Sequence, residues 1–211
     1  MRPYERAPAE IYKQSFATVR AEANLDRFDT GMQALAIRLI HACGMVEIAD
    51  RIAYSQGGYL AGHRALKAGA PVLCDCEMVG AGIIRRYLPC DNEVIVTLND
   101  PRIPEHAQSI GNTRSAAGVE LWEPHLEGAV VAVGNAPTAL FHLLEMIDAG
   151  APKPAVILGF PVGFVGAAES KAELAARPRG CDFIALRGRR GGSAIASAAV
   201  NALAAGLPEE R

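Results

Sequence analysis

The chain has 211 residues, of which 50% are hydrophobic and 21% are charged. This length fits one domain that can bury a substantial core, and we expect a single domain over residues 1–211. The formal net charge of −2 gives no support for nucleic-acid binding. No apolar run approaches the roughly 18 residues that span a bilayer, and residues 1–6 lack an apolar signal core. We therefore expect no membrane association and a cytoplasmic location.

The chain begins with helical patterns at 8–23, 30–43 and 60–68. The second follows Asp29, a good N-cap residue, and stops at Gly44. Five apolar runs have the length and branching of buried strands, at 71–75, 93–98, 129–133, 155–159 and 182–187. Further helical patterns lie between or after most of them, at 113–127, 137–149, 168–176 and 192–205. This alternation predicts an α/β fold: a mostly parallel five-stranded sheet with helices on both faces, preceded by N-terminal helices.

Ligands of open α/β sheets bind beyond the carboxyl ends of the strands. Three segments that follow predicted strands are rich in glycine or proline, at 134–137, 159–163 and 187–193. Glycine lets backbone N–H groups approach a ligand, and helix N-termini favour anions. Arginine, whose planar fork suits carboxylates, is concentrated near these loops, at Arg102, Arg114, Arg187, Arg189 and Arg190. The pattern predicts an acidic ligand, although Arg189 and Arg190 fit a solvated basic face equally well.

His41 is the most distinctive titratable residue. It lies three residues after Arg38, so both side chains share one face of the predicted helix. It is also in the last turn before Gly44, where the negative end of the helix dipole favours the imidazolium. We therefore predict that His41 holds and donates a proton near neutral pH. A structural role is the common alternative for a lone histidine at a helix end, and it is our interpretation of His63, His106, His125 and His142.

The remaining motifs exclude several classes of chemistry. Five scattered cysteines argue against a disulfide framework, and Cys74-x-Cys76 lacks the spacing of a zinc knuckle. We expect free thiols and no metal site. Ser193 follows two glycines, but the G-x-S-x-G pattern of a hydrolase is absent. The loop at 187–193 contains no G-x-G-x-x-G and the chain has no G-x-x-x-x-G-K-[ST], which argues against a nucleotide-binding protein.

Six separated segments together resemble the precorrin-8X methylmutase family, which includes the cobalt-precorrin-8 methylmutases. The matching segments are Ile11–Phe16, His41–Gly44, Cys74–Val79, Gly111–Ala116, Gly134–Leu140, and Gly159–Val165 followed by Glu169-Ser170-Lys171. The glycine loop at 188–194 adds to them. The resemblance runs from about residue 10 to the C-terminus.

The resemblance implies an isomerase of cobalamin biosynthesis that moves a methyl group from C-11 to C-12 of precorrin-8X, giving hydrogenobyrinic acid. It implies a homodimer with tetrapyrrole pockets at or near the subunit interface, and no cofactor or metal. It assigns the acid–base role to His41 and substrate contacts to Ser15, Arg38 and Arg114. In one respect the chain departs from the family pattern: Gly82 is followed by Ile83 and Ile84 where a polar residue is expected. That departure puts one pocket contact in doubt.

The chemistry of the residues agrees with this resemblance. A methyl shift needs neither a hydride carrier nor a nucleophile, whereas protonation of the ring system by one histidine would assist it. The peripheral carboxylates and apolar disc of a tetrapyrrole suit arginines around an apolar cleft. Two alternatives stay open: an enzyme acting on the cobalt-containing ring, and a non-catalytic tetrapyrrole carrier that would need the arginines but not His41. The residue identities at 15–16, 41–44 and 77–78 resemble the metal-free type more closely and favour the metal-free substrate.

Overall fold

A computed structural model describes residue 2 and residues 4–206 of the chain. Residues 1, 3 and 207–211 lie outside the described residues. They include part of the N-terminal segment expected to lack a signal core and the C-terminal end of the domain expected over 1–211, so that domain boundary stays a prediction. In the described part, no helix is both long and apolar enough to cross a membrane.

Six strands form one sheet in the described part of the chain, in the order β1-β6-β5-β4-β2-β3. All neighbours are parallel except β1 and β6, which are antiparallel. The strands are β1 (Ile52–Tyr54), β2 (Val72–Cys74), β3 (Val94–Val96), β4 (Val130–Val133), β5 (Val156–Gly159) and β6 (Asp182–Leu186). The predicted α/β class and mostly parallel sheet are confirmed.

The predicted count of five strands was wrong by one, because β1 was missed. In the sequence its three residues stand between the polar residues Arg51 and Ser55 and are not part of a longer apolar run. Pairing with β6 places Ile52 opposite Leu186 and Tyr54 opposite Ile184, so β1 is defined by a partner more than 120 residues away. The other five strands lie within the predicted apolar runs.

The α-helices are α1 (Pro8–Glu22), α2 (Thr30–Cys43), α3 (Gly58–Lys67), α4 (Glu77–Gly82), α5 (Ile103–Ser109), α6 (Arg114–Glu120), α7 (Pro137–Asp148), α8 (Ala167–Ala176) and α9 (Ser193–Ala205). The short helices α4 and α5 were not predicted. The helix predicted at 113–127 was too long: α6 ends at Glu120 and a 3-10 turn follows at Glu123–His125. Pro124 has no N–H to donate to an α-helical ladder, which accounts for the early end.

The caps predicted for α2 are confirmed. The Asp29 carboxylate accepts a hydrogen bond from the backbone N–H of Met32 at 2.8 Å. Gly44 closes the helix in the left-handed conformation with φ of 71°, which glycine adopts without strain. Asp29 fixes where α2 begins and Gly44 fixes where it ends, and together they set the position of His41 in the last turn.

Two apolar layers cover the two faces of the sheet. One contains side chains of α1, α2, α3 and α9, and the other contains side chains of α6, α7 and α8. Within the first layer α2 packs against α9, and α4 packs against both α9 and β2. The end of α2, the helix α4 and the start of α9 thereby meet beyond the carboxyl edge of the sheet, where α/β proteins bind ligands.

Candidate active site

A cleft of about 480 Å³ lies between α2, α4 and α9. Its lining combines charged, polar and apolar side chains, among them Tyr12, Arg38, His41, Met78, Ile84, Ser193 and Asn201. A larger cavity of about 650 Å³ lies on the other layer, around His106, Glu120 and His142. We take the smaller cleft as the candidate site because it contains predicted site residues and lies at the carboxyl edge of the sheet.

The His41 ring is held on several sides. Its Nδ1 lies 2.7 Å from the Ser15 hydroxyl, which reaches it from α1. The Phe16 ring meets it edge-on with 5.2 Å between centroids, and the Tyr12 ring lies 5.5 Å away. Nε2 has no hydrogen-bond partner among the described residues. The contacts therefore orient the imidazole and leave one nitrogen for a ligand.

Arg38 lies one turn before His41 and lines the same cleft, as predicted. Its side chain is buried, and its Nε donates to the backbone carbonyl of Gly206 at 2.5 Å. The guanidinium carbon lies 5.4 Å from the centre of the Tyr87 ring. Arg38 is therefore a fixed positive charge in the wall of the cleft.

The electrostatic prediction for His41 was wrong in direction. Burial, together with the positive charge of Arg38, lowers the pKa of His41 below its ordinary value of 6.5. The negative end of the helix dipole is equivalent to about half an elementary charge and raises the pKa of His41. Arg38 carries a full positive charge, and desolvation also disfavours the imidazolium, so these two effects outweigh the dipole. In the free chain the neutral imidazole is therefore favoured.

Arg114 is the predicted site residue that the fold does not bring to this cleft. It opens α6, and its Nη2 donates to the Leu98 carbonyl at 3.2 Å and to the Asn99 side chain at 3.3 Å. The Asn99 amide in turn donates to Glu77, the first residue of α4, at 3.3 Å. Within one chain, Arg114 is thus linked to α4 but stands apart from the group formed by Ser15, Arg38 and His41.

The departure from the family pattern after Gly82 has a clear structural outcome. Ile83 is buried in the core, whereas Ile84 lines the cleft. Asn201 of α9 holds this segment, because its side-chain oxygen accepts from the Ile84 N–H at 2.8 Å and its amide donates to the Gly82 carbonyl at 3.0 Å. Sequence reasoning missed Asn201, although a single amide in a helix of small and apolar residues was a signal for it.

One loop expected to approach a ligand is already occupied by the protein. The backbone N–H groups of Gly134, Asn135 and Ala136 donate to the buried carboxylate of Asp75 at 2.8 to 2.9 Å. Burial raises the pKa of Asp75, and these three hydrogen bonds oppose that effect. The backbone N–H groups of residues 134–136 are therefore already bonded to a side chain of the protein and do not form an open anion site.

Two histidines interpreted as structural converge on one carboxylate of the opposite layer. His106 Nε2 lies 2.5 Å from one oxygen of Glu120, and His142 Nε2 lies 2.8 Å from the other. In residues 2 and 4–206, no group of three or more His, Cys, Asp and Glu side chains could hold a metal ion. All five cysteines are free thiols, as expected.

Comparison with known proteins identifies the family. The model of the precorrin-8X methylmutase family matches residues 10–205. A precorrin-8X methylmutase of Pseudomonas aeruginosa is 61% identical over 201 residues, covering 95% of this chain and 97% of the relative. One of Sinorhizobium sp. is 57% identical over 201 residues, covering 95% and 96%. A cobalt-precorrin-8 methylmutase of Priestia megaterium is 32% identical over 203 residues, covering 96% and 89%.

The fold leads to the same family. The crystal structure of a precorrin-8X methylmutase from Thermus thermophilus superimposes with a TM-score of 0.83 at 37% identity, covering 92% of this chain and 94% of that one. A second structure, described as a precorrin-8X methylmutase related protein, has a TM-score of 0.82 at 37% identity, with 90% and 98% coverage. The chain belongs to the precorrin-8X methylmutase family.

Proposed function

We propose that this chain is an isomerase that converts precorrin-8X to hydrogenobyrinic acid by moving one methyl group from C-11 to C-12. Family membership and the identity of 57% and 61% to relatives named precorrin-8X methylmutase support this choice. Six relatives named cobalt-precorrin-8 methylmutase are 30 to 36% identical. That gap favours the metal-free substrate over the cobalt-containing ring.

The observation that carries the mechanism is the His41 ring, oriented by Ser15 in the cleft. With Nδ1 on the Ser15 hydroxyl, Nε2 is the nitrogen that transfers a proton to the macrocycle. Protonation makes the conjugated system electron-poor, and the methyl group then moves with its bonding electron pair from C-11 to C-12. The proton returns to His41, so atoms and charge balance as an isomerisation requires. The chemistry needs no hydride carrier and no protein nucleophile.

The carboxylates of the substrate compensate for the low pKa of His41. Burial and Arg38 disfavour the imidazolium in the free chain. A bound polycarboxylate brings negative charge next to both side chains, which raises the pKa of the histidine again. We infer that His41 takes up its proton together with the substrate. Arg38 then contributes a charge-assisted bond to one peripheral carboxylate.

We propose a homodimer, as the resemblance implies, in which Arg114 binds a second carboxylate. Large apolar side chains are exposed on the described surface: Met78 is 62% exposed, and Phe164 and Val165 are 84% and 89% exposed. Phe164 and Val165 are adjacent in the chain, and contiguous exposed apolar groups are typical of surfaces that a partner covers. Light scattering during size exclusion tests the dimer, for which the expected mass is twice the chain mass of 22.3 kDa. A mass of one chain at micromolar concentration would contradict it.

A spectroscopic assay tests the activity. Purified protein is mixed with precorrin-8X, and the absorption spectrum is followed until the bands of hydrogenobyrinic acid appear. Cobalt-precorrin-8 is run in parallel, and faster conversion of the cobalt substrate would overturn the choice of the metal-free ring. Binding of precorrin-8X without any spectral conversion would support the carrier instead. The cytoplasmic location stays a prediction from the sequence.

A further inference from the structure

Lys171 is a buried cation that the proposed mechanism does not use. Its side chain has no exposure to solvent. It belongs to α8, on the face of the sheet opposite His41. Its Nζ donates to the backbone carbonyl of Pro161 at 2.8 Å and to that of Arg190 at 2.6 Å. No carboxylate forms an ion pair with it in residues 4–206. Burying an ammonium group without a carboxylate partner costs stability, so its hydrogen bonds to the two carbonyls must offset part of that cost.

The two carbonyls belong to the two loops that leave neighbouring strands. Residues 160–166 follow β5, and residues 187–192 follow β6. The loops also bond directly to each other, since the Gly163 N–H donates to the Arg189 carbonyl at 3.1 Å and the Gly192 N–H donates to the Phe160 carbonyl at 2.8 Å. The two loops lie so close that a side chain at Gly191 would clash with the Phe160 carbonyl oxygen. Lys171 therefore lies between two loops that are hydrogen-bonded to each other, and it bonds to both of them.

The second loop leads straight into the cleft. Ser193 is the first residue of α9, lines the cleft with His41, and places its hydroxyl 3.6 Å from the thiol of Cys76. The Gly192 carbonyl accepts the Ala196 N–H at 3.0 Å, so the loop also begins the hydrogen-bond ladder of α9. A shift of this loop would move the start of α9, and with it one wall of the cleft.

We propose that Lys171 is a positioning residue for the methyl shift: it locks the loops at 160–166 and 187–192 together and so fixes the α9 wall of the cleft against His41. This inference rests on the proposed function. Its physical basis is that reactions of bound substrates depend steeply on placement, and a displacement of about 1 Å far from the chemistry can cost about 10²-fold in rate.

The test compares Lys171→Met with Leu174→Ala. Methionine keeps the length and apolar stem of lysine but cannot donate to the two carbonyls. Leu174 lies on the same helix and is also fully buried, but packs in the apolar layer under the sheet. Its truncation destabilises α8 without removing a bond to either loop, which makes it a matched control for a purely structural effect.

Two readouts separate positioning from stability. In single turnover at saturating precorrin-8X, we expect Lys171→Met to be on the order of 10- to 100-fold slower than wild type, and Leu174→Ala to stay close to wild type. In hydrogen–deuterium exchange, we expect Lys171→Met to lose protection of the Gly163 and Gly192 amides while Leu174→Ala keeps it. A wild-type rate in Lys171→Met, or an equal loss in both variants, would overturn the proposal.

The exchange experiment also keeps the two proposals apart. If the wild-type protein fails to convert precorrin-8X, the proposed function fails, whereas loop protection in the two variants still decides whether Lys171 holds the loops. If Lys171→Met does not fold, the wild-type protein alone gives the answer. Gly163 and Gly192 amides that exchange as fast as those of an unstructured peptide would refute the lock.

Discussion

The histidines on the two sides of the sheet have opposite electrostatic surroundings. His106 and His142 share the carboxylate of Glu120, so each has an anion within hydrogen-bond distance. His41 instead contacts the neutral hydroxyl of Ser15 and lies one helical turn from the cation Arg38. A carboxylate partner fixes a histidine ring within the protein, which suits a structural role. A histidine with no counter-ion among residues 4–206 depends on an anionic ligand for its proton, which suits a proton donor that acts only when substrate is bound.

Removing each histidine tests this comparison with the largest expected effect. His41→Ala should retain folding and tetrapyrrole binding but lose about 10²- to 10⁴-fold in turnover, the range typical of a positioned general acid. His142→Ala is the matched control, because it removes a half-buried histidine and a bond to Glu120 without touching the cleft. Rates are measured by the absorbance change of precorrin-8X. Near-normal turnover by His41→Ala would refute the assignment of the acid.

Ser15→Ala should have a smaller effect on the same reaction. The alanine leaves Nδ1 of His41 without its partner, so the ring samples other orientations and tautomers. A neutral hydrogen bond contributes about 0.5–1.5 kcal/mol, which corresponds to about a 2- to 13-fold loss of rate. Single-turnover kinetics at saturation measures the chemical step. Thr18→Ala is the control, since Thr18 is also on α1 but its hydroxyl bonds to the backbone carbonyl of Gln14 and not to His41. Equal losses in both variants would point to a change in α1 rather than in the orientation of His41.

The Arg38→Met variant tests whether the charge of Arg38 lowers the pKa of His41. In the wild type the active imidazolium is lost as pH rises through the pKa of His41, which lies below 6.5 in the free chain. The pH profile of kcat/KM reports the free enzyme, so its falling limb should lie below pH 6.5. Removing the guanidinium charge raises the pKa of His41, and the limb should move to higher pH while KM increases. A limb that stays in place or moves to lower pH would show that Arg38 does not control this proton.

The parts of this site that the sequence predicted depend on local interactions. Asp29 and Gly44 mark the ends of α2, and the helical spacing of Arg38 and His41 puts both on the cleft. The parts that were missed depend on contacts between distant segments. Asn201 bonds to Gly82 and Ile84 more than 115 residues away.

The low pKa of His41 was also beyond local reasoning. The position of the histidine at a helix end was visible in the sequence, but its desolvation under neighbouring side chains appears only once α1 packs on α2. The same holds for Asp75, whose three backbone partners follow a strand almost 60 residues later. Periodicity identifies elements, whereas burial and charge neighbours are properties of the assembled layers.

The smallest expected effect is on stability, and it comes from Glu120, the carboxylate that His106 and His142 share. Burial alone would raise the pKa of Glu120, but hydrogen bonds to His142 and His106 lower it on balance. A carboxyl group with a lowered pKa contributes stability above its unfolded value of 4.5 and loses that contribution as pH falls through its folded pKa. Glu120→Gln should therefore cost under about 1 kcal/mol at pH 7, because the carboxylate is partly exposed to solvent. Urea unfolding at pH 7 and at pH 4 measures the difference from wild type, with the exposed Glu127→Gln as control. If the loss of unfolding free energy in Glu120→Gln is as large at pH 4 as at pH 7, then Glu120 stabilises the protein through packing. The surroundings of His106 and His142 would then not differ from those of His41 through the charge of Glu120.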